Sequence, residues 1–442
     1  MKSENYEIAY AVELPVVFPE GFSIGSGSKN GNMTSIERNG KGMPVLRGTS
    51  VAGILRAKIS QDARFAEMVE YYFGKALNKN IDRQESLFHF YDTEFPKSLE
   101  ETMHNKICRH TGSVSTENKG LFSVERTAAG LKANLFFTLL GDRGEKDEQE
   151  DMDIIHVLAG YFAEGLLIGG NGRSGCGRCL LQDRSFQMRK FDLAKPEDAA
   201  AWLDLLYAEK KEVATRVALQ QTENCDCFSV DLKFGLAEGQ DLLCAEGNDM
   251  TPVSSRKGDG QLYWMIPGST FRGIFKAWMS RLAAREGIQL SDSVENYLKC
   301  GDKKDVQATP DDEIHDLFGT CECRGRIHFT DAYSEQPVIW GTDIQYRPHV
   351  VIDRFTGGTN DGKFFSCKVL IDPTGKLAFS MQISIEKPSE SELRWLAQTL
   401  RALDLGLIRI GSSKASGCLK IRECNVRSNP TELEFAKIAK GE

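Results

Sequence analysis

Apolar and polar residues alternate from Tyr6 to Val17 and again from Phe228 to Leu236, the period of a strand that buries one face. A glycine-rich irregular stretch follows each run, and then a glycine turn with small hydroxyl residues, Gly48-Thr49-Ser50 and Gly268-Ser269-Thr270, opens a helix-like segment. Ser and Thr there can accept bonds from the first N–H groups of a helix, which have no partner within it. Next come a strand through a His-Phe-x-Asp block, a long polar hairpin, and apolar strands from Leu131 to Leu140 and from Leu377 to Ile385. A second helix follows, and in the later half it places Leu393, Leu396, Leu400 and Leu403 on one face, the spacing of a helix lying on a sheet. A glycine-marked strand closes each half.

Strand, helix, strand, then strand, helix, strand is the order of an α+β, ferredoxin-like domain. The chain carries it twice. Gly31-Asn32-Met33-Thr34 returns as Asn248-Asp249-Met250-Thr251, Phe73-Gly74 as Phe318-Gly319, His89-Phe90-Tyr91-Asp92 as His328-Phe329-Thr330-Asp331, Phe122-Ser123 as Phe365-Ser366, and Ser174-Gly175-Cys176 as Ser416-Gly417-Cys418. Matches in the same order mark tandem copies of one domain, too few and too large for a solenoid. The predicted domains are residues 1–185 and 225–442. Between them, 186–224 reads as a helical linker, with Pro196 at a helix start and Ala199, Trp202, Leu203 and Leu206 on an apolar face. Asn32 stands where its twin has Asp249, so one copy resembles an idle version of a site that is live in the other.

With 442 residues and 41% hydrophobic content the chain can bury two cores. Met1-Lys2-Ser3-Glu4-Asn5 lacks a charged-then-apolar leader, and no apolar run approaches the roughly 20 residues of a membrane span. A cytoplasmic protein with no membrane partner is expected. The 12 cysteines are scattered and read mostly as reduced and buried. A net charge of -8 argues against a free-standing nucleic-acid binder. The acid is nevertheless concentrated in runs such as 142–153 and 309–312, whereas the glycine turns carry Arg47, Arg56, Arg173, Arg178, Arg272, Lys276, Lys414 and Lys420. A basic track on an acidic body is compatible with that distribution.

Each turn-then-helix block is a candidate anion site, since helix N–H groups and the helix dipole favour a phosphate and glycine allows close approach. Ordinary helix capping is the alternative. The closing segments, Gly165 to Arg178 with Gly169, Gly170, Gly172, Arg173 and Ser174, and Gly406 to Lys420 with Ser412, Ser413 and Lys414, suit either a tight hairpin or a backbone approached by phosphates. The segment His349 to Phe365, with Arg354 and Phe355 near its tip, is a long hairpin that could stack on bases, and His110 to Phe122 is its shorter, more polar counterpart. Cys321-Glu322-Cys323 with Cys300 and His315 has the residue types of a structural zinc site but no standard spacing, and Cys225-Asp226-Cys227 is weaker still. No phosphate-binding loop of the nucleotide triphosphatases, dinucleotide fingerprint, serine elbow or His-Glu-x-x-His helix occurs.

Pro267-Gly268-Ser269-Thr270-Phe271-Arg272-Gly273, Leu317-Phe318-Gly319 ahead of Arg326-Ile327-His328-Phe329-Thr330-Asp331-Ala332, the run from His349 to Gly358 and the glycine-rich close together resemble the RAMP superfamily of CRISPR-associated proteins. The likeness is to the backbone subunits of type III effector complexes, in the fused double-copy form of type III-D systems. It implies tandem ferredoxin-like domains that line up along a guide RNA (crRNA), gripping it through the turn-helix and glycine-rich loops. It also implies partners, namely the target RNA and other effector subunits. Each inserted hairpin, or thumb, would push one nucleotide out of the guide–target duplex. In active copies an Asp in the loop after the first strand promotes cutting of the target beside that gap with a divalent metal ion, expected to be magnesium. Asp249 matches that acid; Asn32 departs from it.

The chemistry is coherent. A ribose 2′-OH beside a kinked phosphate can attack in line, and a carboxylate can take its proton or hold a cation to the phosphate. Asn can do neither at neutral pH. The expected activity is therefore one cut in target RNA through Asp249. The alternatives are a structural backbone without cleavage, a guide-processing endoribonuclease, and, outside nucleic acids, a duplicated metabolic domain.

Overall fold

The computed structural model describes residues 6–30, 33–75, 85–105, 121–142, 145–170, 176–208, 211, 213, 215–219, 227–246, 250–288, 313–319, 324–353, 355–411 and 416–426. Their contacts form two compact units, the first drawn from 1–102, 123–170 and 177–223, the second from 103–122, 171–176 and 224–442.

The first copy runs β1 (Ile8–Phe18), a hairpin of β2 (Gly25–Asn30) and β3 (Met33–Ile36), α1 (Gly48–Ile59), α2 (Val69–Phe73), β4 (Phe88–Phe90), β5 (Leu99–Asn105), β6 (Leu121–Thr127), β7 (Leu131–Gly141), α3 (Glu145–Glu164), β8 (Arg178–Leu181), β9 (Ser185–Asp192), α4 (Pro196–Tyr207) and β10 (Arg216–Ala218). β1 is the central strand. It pairs with β7 along its whole length on one side and with β8 and β9 on the other, while β4 extends the sheet beyond β7, all antiparallel. The alternation read from the sequence has a physical basis here: Tyr10, Val12, Leu14 and Val16 enter the main core with Leu55 of α1 and Leu158 and Phe162 of α3. Ala9 and Ala11 point the other way, into a second cluster with Phe136, Phe191 and Trp202. Small residues at those two positions leave room for α4 on the second face.

The segment expected as a linker is thus corrected in part. Its helix is α4, but Ser185–Asp192 is a sheet strand, in register with β1 from Ile8 opposite Asp192 to Glu13 opposite Gln187. Phe186 and Met188 join the main core and Phe191 the second cluster, which ties 185–192 to the first unit. Lys211 lies over the rings of Tyr91 and Phe136, 5.0 and 5.4 Å from their centroids, and covers more of the same face.

The second copy runs β11 (Cys227–Leu236), β12 (Ala245–Glu246), β13 (Thr251–Pro252), β14 (Leu262–Ile266), α5 (Gly268–Arg285), α6 (Glu313–Phe318), β15 (Ile327–Phe329), β16 (Ala332–Pro337), β17 (Ile344–Ile352), β18 (Thr359–Ile371), β19 (Ala378–Glu386), α7 (Glu390–Asp404) and β20 (Leu419–Val426). Its sheet repeats the first: β11 is central between β19 and β20, and β15 and β16 both pair with β19. α7 starts on a reciprocal capping box, Ser389 with Glu392, and buries Leu393, Leu396, Leu400 and Leu403. The other sheet face is polar: Gln382 donates to Asp231 at 2.8 Å, and Lys233 sits between Glu335 and Glu423 at 2.9 and 3.4 Å. One sheet face is therefore covered by a helix and its counterpart is laced with charge, so neither offers a row of exposed rings for bases. No described helix is long and apolar enough to cross a membrane.

Candidate nucleic-acid interface

The first helix of each copy, α1 and α5, begins with the same long-range cap. The Gly48 N–H donates to Asp92 Oδ1 at 2.8 Å, and the Gly268 N–H donates to Asp331 Oδ1 at 2.7 Å. The acid of each His-Phe-x-Asp block thus reaches back from the end of a strand to the helix start, where the dipole favours negative charge. Glycine is required at position 48 because an added Cβ would lie 2.0 Å from the Phe90 carbonyl oxygen. Ser50 N and Thr270 N close turns onto Arg47 O and Pro267 O at 3.0 and 2.9 Å. An anion approaching Gly48 or Gly268 would meet a carboxylate, so those two N–H groups are not open phosphate sites. Thr49 is exposed, and Ser50, Ser269 and Thr270 are half-buried.

The basic residues of these helices are also engaged. Arg47 pairs with Asp92 at 2.8 Å and Glu37 at 2.9 Å, and these bonds, Asp92's first, hold its guanidinium above the ordinary arginine range. Arg56 Nη1 donates to Phe73 O at 3.3 Å, and Arg272 Nη2 donates to Phe318 O at 2.5 Å. The two carbonyls are equivalent, each at the end of a short helix just before Gly74 or Gly319 at positive φ. Arg56 lies one helical turn further from its helix start than Arg272 does, so the two copies reach one acceptor from different positions. Arg47, Arg56 and Arg272 are therefore tied into the fold. Lys276 is half-buried on α5.

The glycine-rich closes are matched backbone clasps. Gly177 N donates to Gly21 O and Gly417 N to Asp241 O, both at 2.8 Å, while Ile168 N and Ile410 N donate to Gly177 O and Gly417 O at 2.8 and 2.9 Å. At positive φ, a Cβ on Gly177 or Gly417 would lie 2.2 or 1.9 Å from the carbonyl oxygen of Ile168 or Ile410. Gly169 and Gly411 press in the same way on Ser23 O and Leu243 O. The equivalent of Gly417 is therefore Gly177 and not Gly175. Gly170 N donates to Ser23 O at 2.9 Å. Gly172, Arg173, Ser174, Ser412, Ser413 and Lys414 lie outside the described residues, but the clasps put the roots of both loops against the segment that follows the first strand.

That segment carries the twin loops. Glu37 N donates to Ile24 O at 2.7 Å, and Val253 N donates to Cys244 O at 3.0 Å, closing the base of each. Twelve residues, 25–36, lie between the first pair and eight, 245–252, between the second. Ala245 pairs with Pro252 and Glu246 with Thr251, which brackets the tip, and Met250 has φ 44°. Asn32 and Asp249 both lie outside the described residues.

β17 and β18 form the expected long hairpin of the second copy, in register from Ile344 opposite Leu370 to Val350 opposite Phe364, with a shift in register before Ile352 opposite Thr359. Its outer part is unusually apolar for exposed surface: Tyr346 is 67%, Ile352 62%, Phe364 68% and Phe355 100% exposed. The turn near its tip is hydrogen-bonded. Asp353 Oδ1 accepts from the N–H of Phe355 at 2.8 Å and of Thr356 at 2.9 Å, and these bonds, Thr356's first, hold the carboxyl below its usual range. The His349 ring stacks on Phe365 at 5.1 Å with an 18° interplanar angle, and its Nε2 lies 3.1 Å from Cys367 Sγ. In the first copy the matching stack is His104 on Phe122, 5.4 Å and 20°. The counterpart hairpin is thus carried by β5 and β6, and its histidine is His104; His110 and Arg354 lie outside the described residues.

His315 is buried on α6, and Gly319 N donates to its carbonyl at 2.7 Å. Among the described residues no three His, Cys, Asp or Glu side chains converge to hold a metal ion. Cys300, Cys321, Cys323 and Cys225 lie outside them, and Cys227 is half-buried. Sequence reasoning quoted Asp92 and Asp331 as repeat markers and gave them no role. Their recurrence beside a glycine helix start was the available signal.

A family model described as the RAMP superfamily matches residues 21–180 and 235–418, the greater part of the chain and one stretch in each copy. No curated protein matches the chain.

Proposed function

This chain belongs to the RAMP superfamily, whose members are RNA-binding, CRISPR-associated proteins that include some endoribonucleases, and on that premise we propose that it is a tandem backbone subunit of a type III effector complex, cutting target RNA once through Asp249. The observation that carries this reading is the hairpin Ile344–Ile371, which holds Phe355 fully exposed on a hydrogen-bonded turn. With Tyr346, Ile352 and Phe364 also exposed on the same hairpin, Phe355 gives it an apolar, aromatic surface suited to stacking on bases. The order β15, β19, β11, β20, with α5 and α7 following β11 and β19, supports a ferredoxin-like reading of the second copy, and β4, β7, β1, β8 that of the first. The proposed setting is the cytoplasm.

In this account guide and target RNA contact the glycine-loop tips, with Arg173 and Lys414, and the thumb, with His349, Arg354 and Phe355. The helix starts act one step removed, by fixing the loops. Phe355 wedges one base pair open and kinks the target backbone, and the Asp249 carboxylate takes the proton of the 2′-OH beside that kink. A divalent ion, when bound, would offset phosphate charge. The guanidinium groups of Arg47, Arg56 and Arg272 maintain the fold.

The test is to purify the complex, sequence any small RNA that accompanies it, and supply a labelled complementary RNA. One guide of defined length and one cut, lost on chelation, support the reading. A bound guide without cleavage leaves a structural backbone, and absence of RNA contradicts both.

A further inference from the structure

The paired blocks Phe122-Ser123 and Phe365-Ser366 are each followed two residues later by a charge of opposite sign, Glu125 on β6 and Lys368 on β18. The two side chains occupy the same place in their copies. Glu125 accepts from Ile36 N through Oε2 at 3.0 Å and is ion-paired with Arg38. Lys368 Nζ donates to Thr251 Oγ1 at 3.2 Å, and its backbone N–H donates to Met250 O at 3.3 Å. Ile36 and Thr251 both lie on the returning limb of the loop, one and two residues before the anchors Glu37 and Val253. From one strand position, then, each copy directs a charged side chain at the returning limb of its loop: Glu125 at Ile36 in the first copy, Lys368 at Thr251 in the second.

Lys368 is well fixed for a lysine. Its neighbours Cys367 and Val369 are buried in a cluster that includes Leu243 and touches Met250, and its ammonium lies 5.8 Å from the centroid of Tyr346. Among the described residues it has no carboxylate partner, whereas Arg47, Arg326, Arg347 and Arg394 are all ion-paired. An ammonium held at a loop root with only a hydroxyl as its described hydrogen-bond partner can also meet a phosphate.

We propose that Lys368 is a second member of the cleavage site, meeting the scissile phosphate and offsetting the charge that builds on its non-bridging oxygens. This rests on the reading that the Asp249 loop cuts RNA. The 2′-OH gives its proton to the Asp249 carboxylate while its oxygen bonds to the adjacent phosphorus. The bond from phosphorus to the 5′-oxygen of the next nucleotide breaks, and that oxygen takes a proton from water, leaving a 2′,3′-cyclic phosphate and a 5′-OH. Lys368 transfers no proton. In the first copy the same strand position holds Glu125, whose carboxylate is taken up by Arg38 and Ile36 N, so that copy has Asn32 in place of Asp249 and no counterpart of the Lys368 ammonium on that strand.

The experiment is single-turnover cleavage of a labelled complementary RNA by the guide-loaded complex carrying Lys368→Met, Lys368→Gln or Lys368→Arg. Gln retains a donor for Thr251, which covers the case in which Met disturbs the loop. We expect Met and Gln to slow cleavage about 10²- to 10³-fold, with target affinity within about threefold at moderate salt, and Arg to restore most of the rate. Asn32→Asp alone is expected to add no second cut while Glu125 remains. Wild-type rates for a folded Met or Gln variant alongside a silent Asp249→Ala overturn the role of Lys368 and leave the cleavage reading intact. A second cut from Asn32→Asp alone would also overturn it. Cleavage by Asp249→Ala would remove both.

Discussion

The backbone N–H of Gly268 donates to the carboxylate of Asp331 at 2.7 Å across 63 residues of chain, and Asp331 is buried. A carboxylate there satisfies one of the four orphan donors of α5 and opposes the positive end of its dipole. Asp331→Ala should therefore cost about 1–2 kcal/mol of stability, read by urea unfolding of the second copy. RNA affinity at a temperature where the variant is folded should not fall. A clear loss of affinity with unchanged stability would mean that Asp331 serves the ligand.

Arginine position separates fold from binding. Arg272→Met removes the bond to Phe318 O and should lower stability while leaving the salt dependence of guide binding unchanged. Lys414→Met, in the glycine-loop tip, should reduce the slope of log affinity against log salt by about one with no change in the sequence bound. The reverse pattern would return the phosphate grip to the helix.

Much of the fold was legible because its signals are local. The Ser389-x-x-Glu392 box and the leucine stripe of α7 need only one helix to be read, and the alternation of β1 and β11 needs only one strand. β9 was obscured because Arg189-Lys190 breaks its apolar pattern and Pro196 draws attention to the helix behind it. The closes were misaligned by two because the run holds both Gly175 and Gly177, and only Gly177's contact with Ile168 O distinguishes them. The role of Asp92 was hidden for a different reason: its bond spans 44 residues. Charges that looked like a basic track also proved to be partly consumed by nearby acids, which no residue count could show.

Asp151 gives a pH dependence of known sign. Burial raises its carboxyl from 3.8 to about 6, against the hydrogen bond from Tyr72 at 2.9 Å. The native state then holds more protons than the unfolded state between these values, so stability should fall as pH rises from about 4 to about 6. Asp151→Asn should remove that fall and be more stable at pH 7 by up to about 2–3 kcal/mol, at about 1.4 kcal/mol per unit. Parallel stability curves for the two proteins would contradict it.

The thumb prediction concerns where RNA is cut. Phe355→Ala, or deletion of 355–360, should leave the guide bound yet shift or blur the cleavage position seen on a sequencing gel, since the ring makes no contact that holds the fold. A sharp cut at the original nucleotide would make the hairpin an ordinary surface loop.

The most direct measurement is target cleavage by the guide-loaded complex carrying Asp249→Ala. Guide and target should remain bound, the cut assigned to this subunit should slow on the order of 10²- to 10⁴-fold, and Asn32→Ala should change the rate little. Full-rate cleavage by Asp249→Ala at the original position would contradict the account.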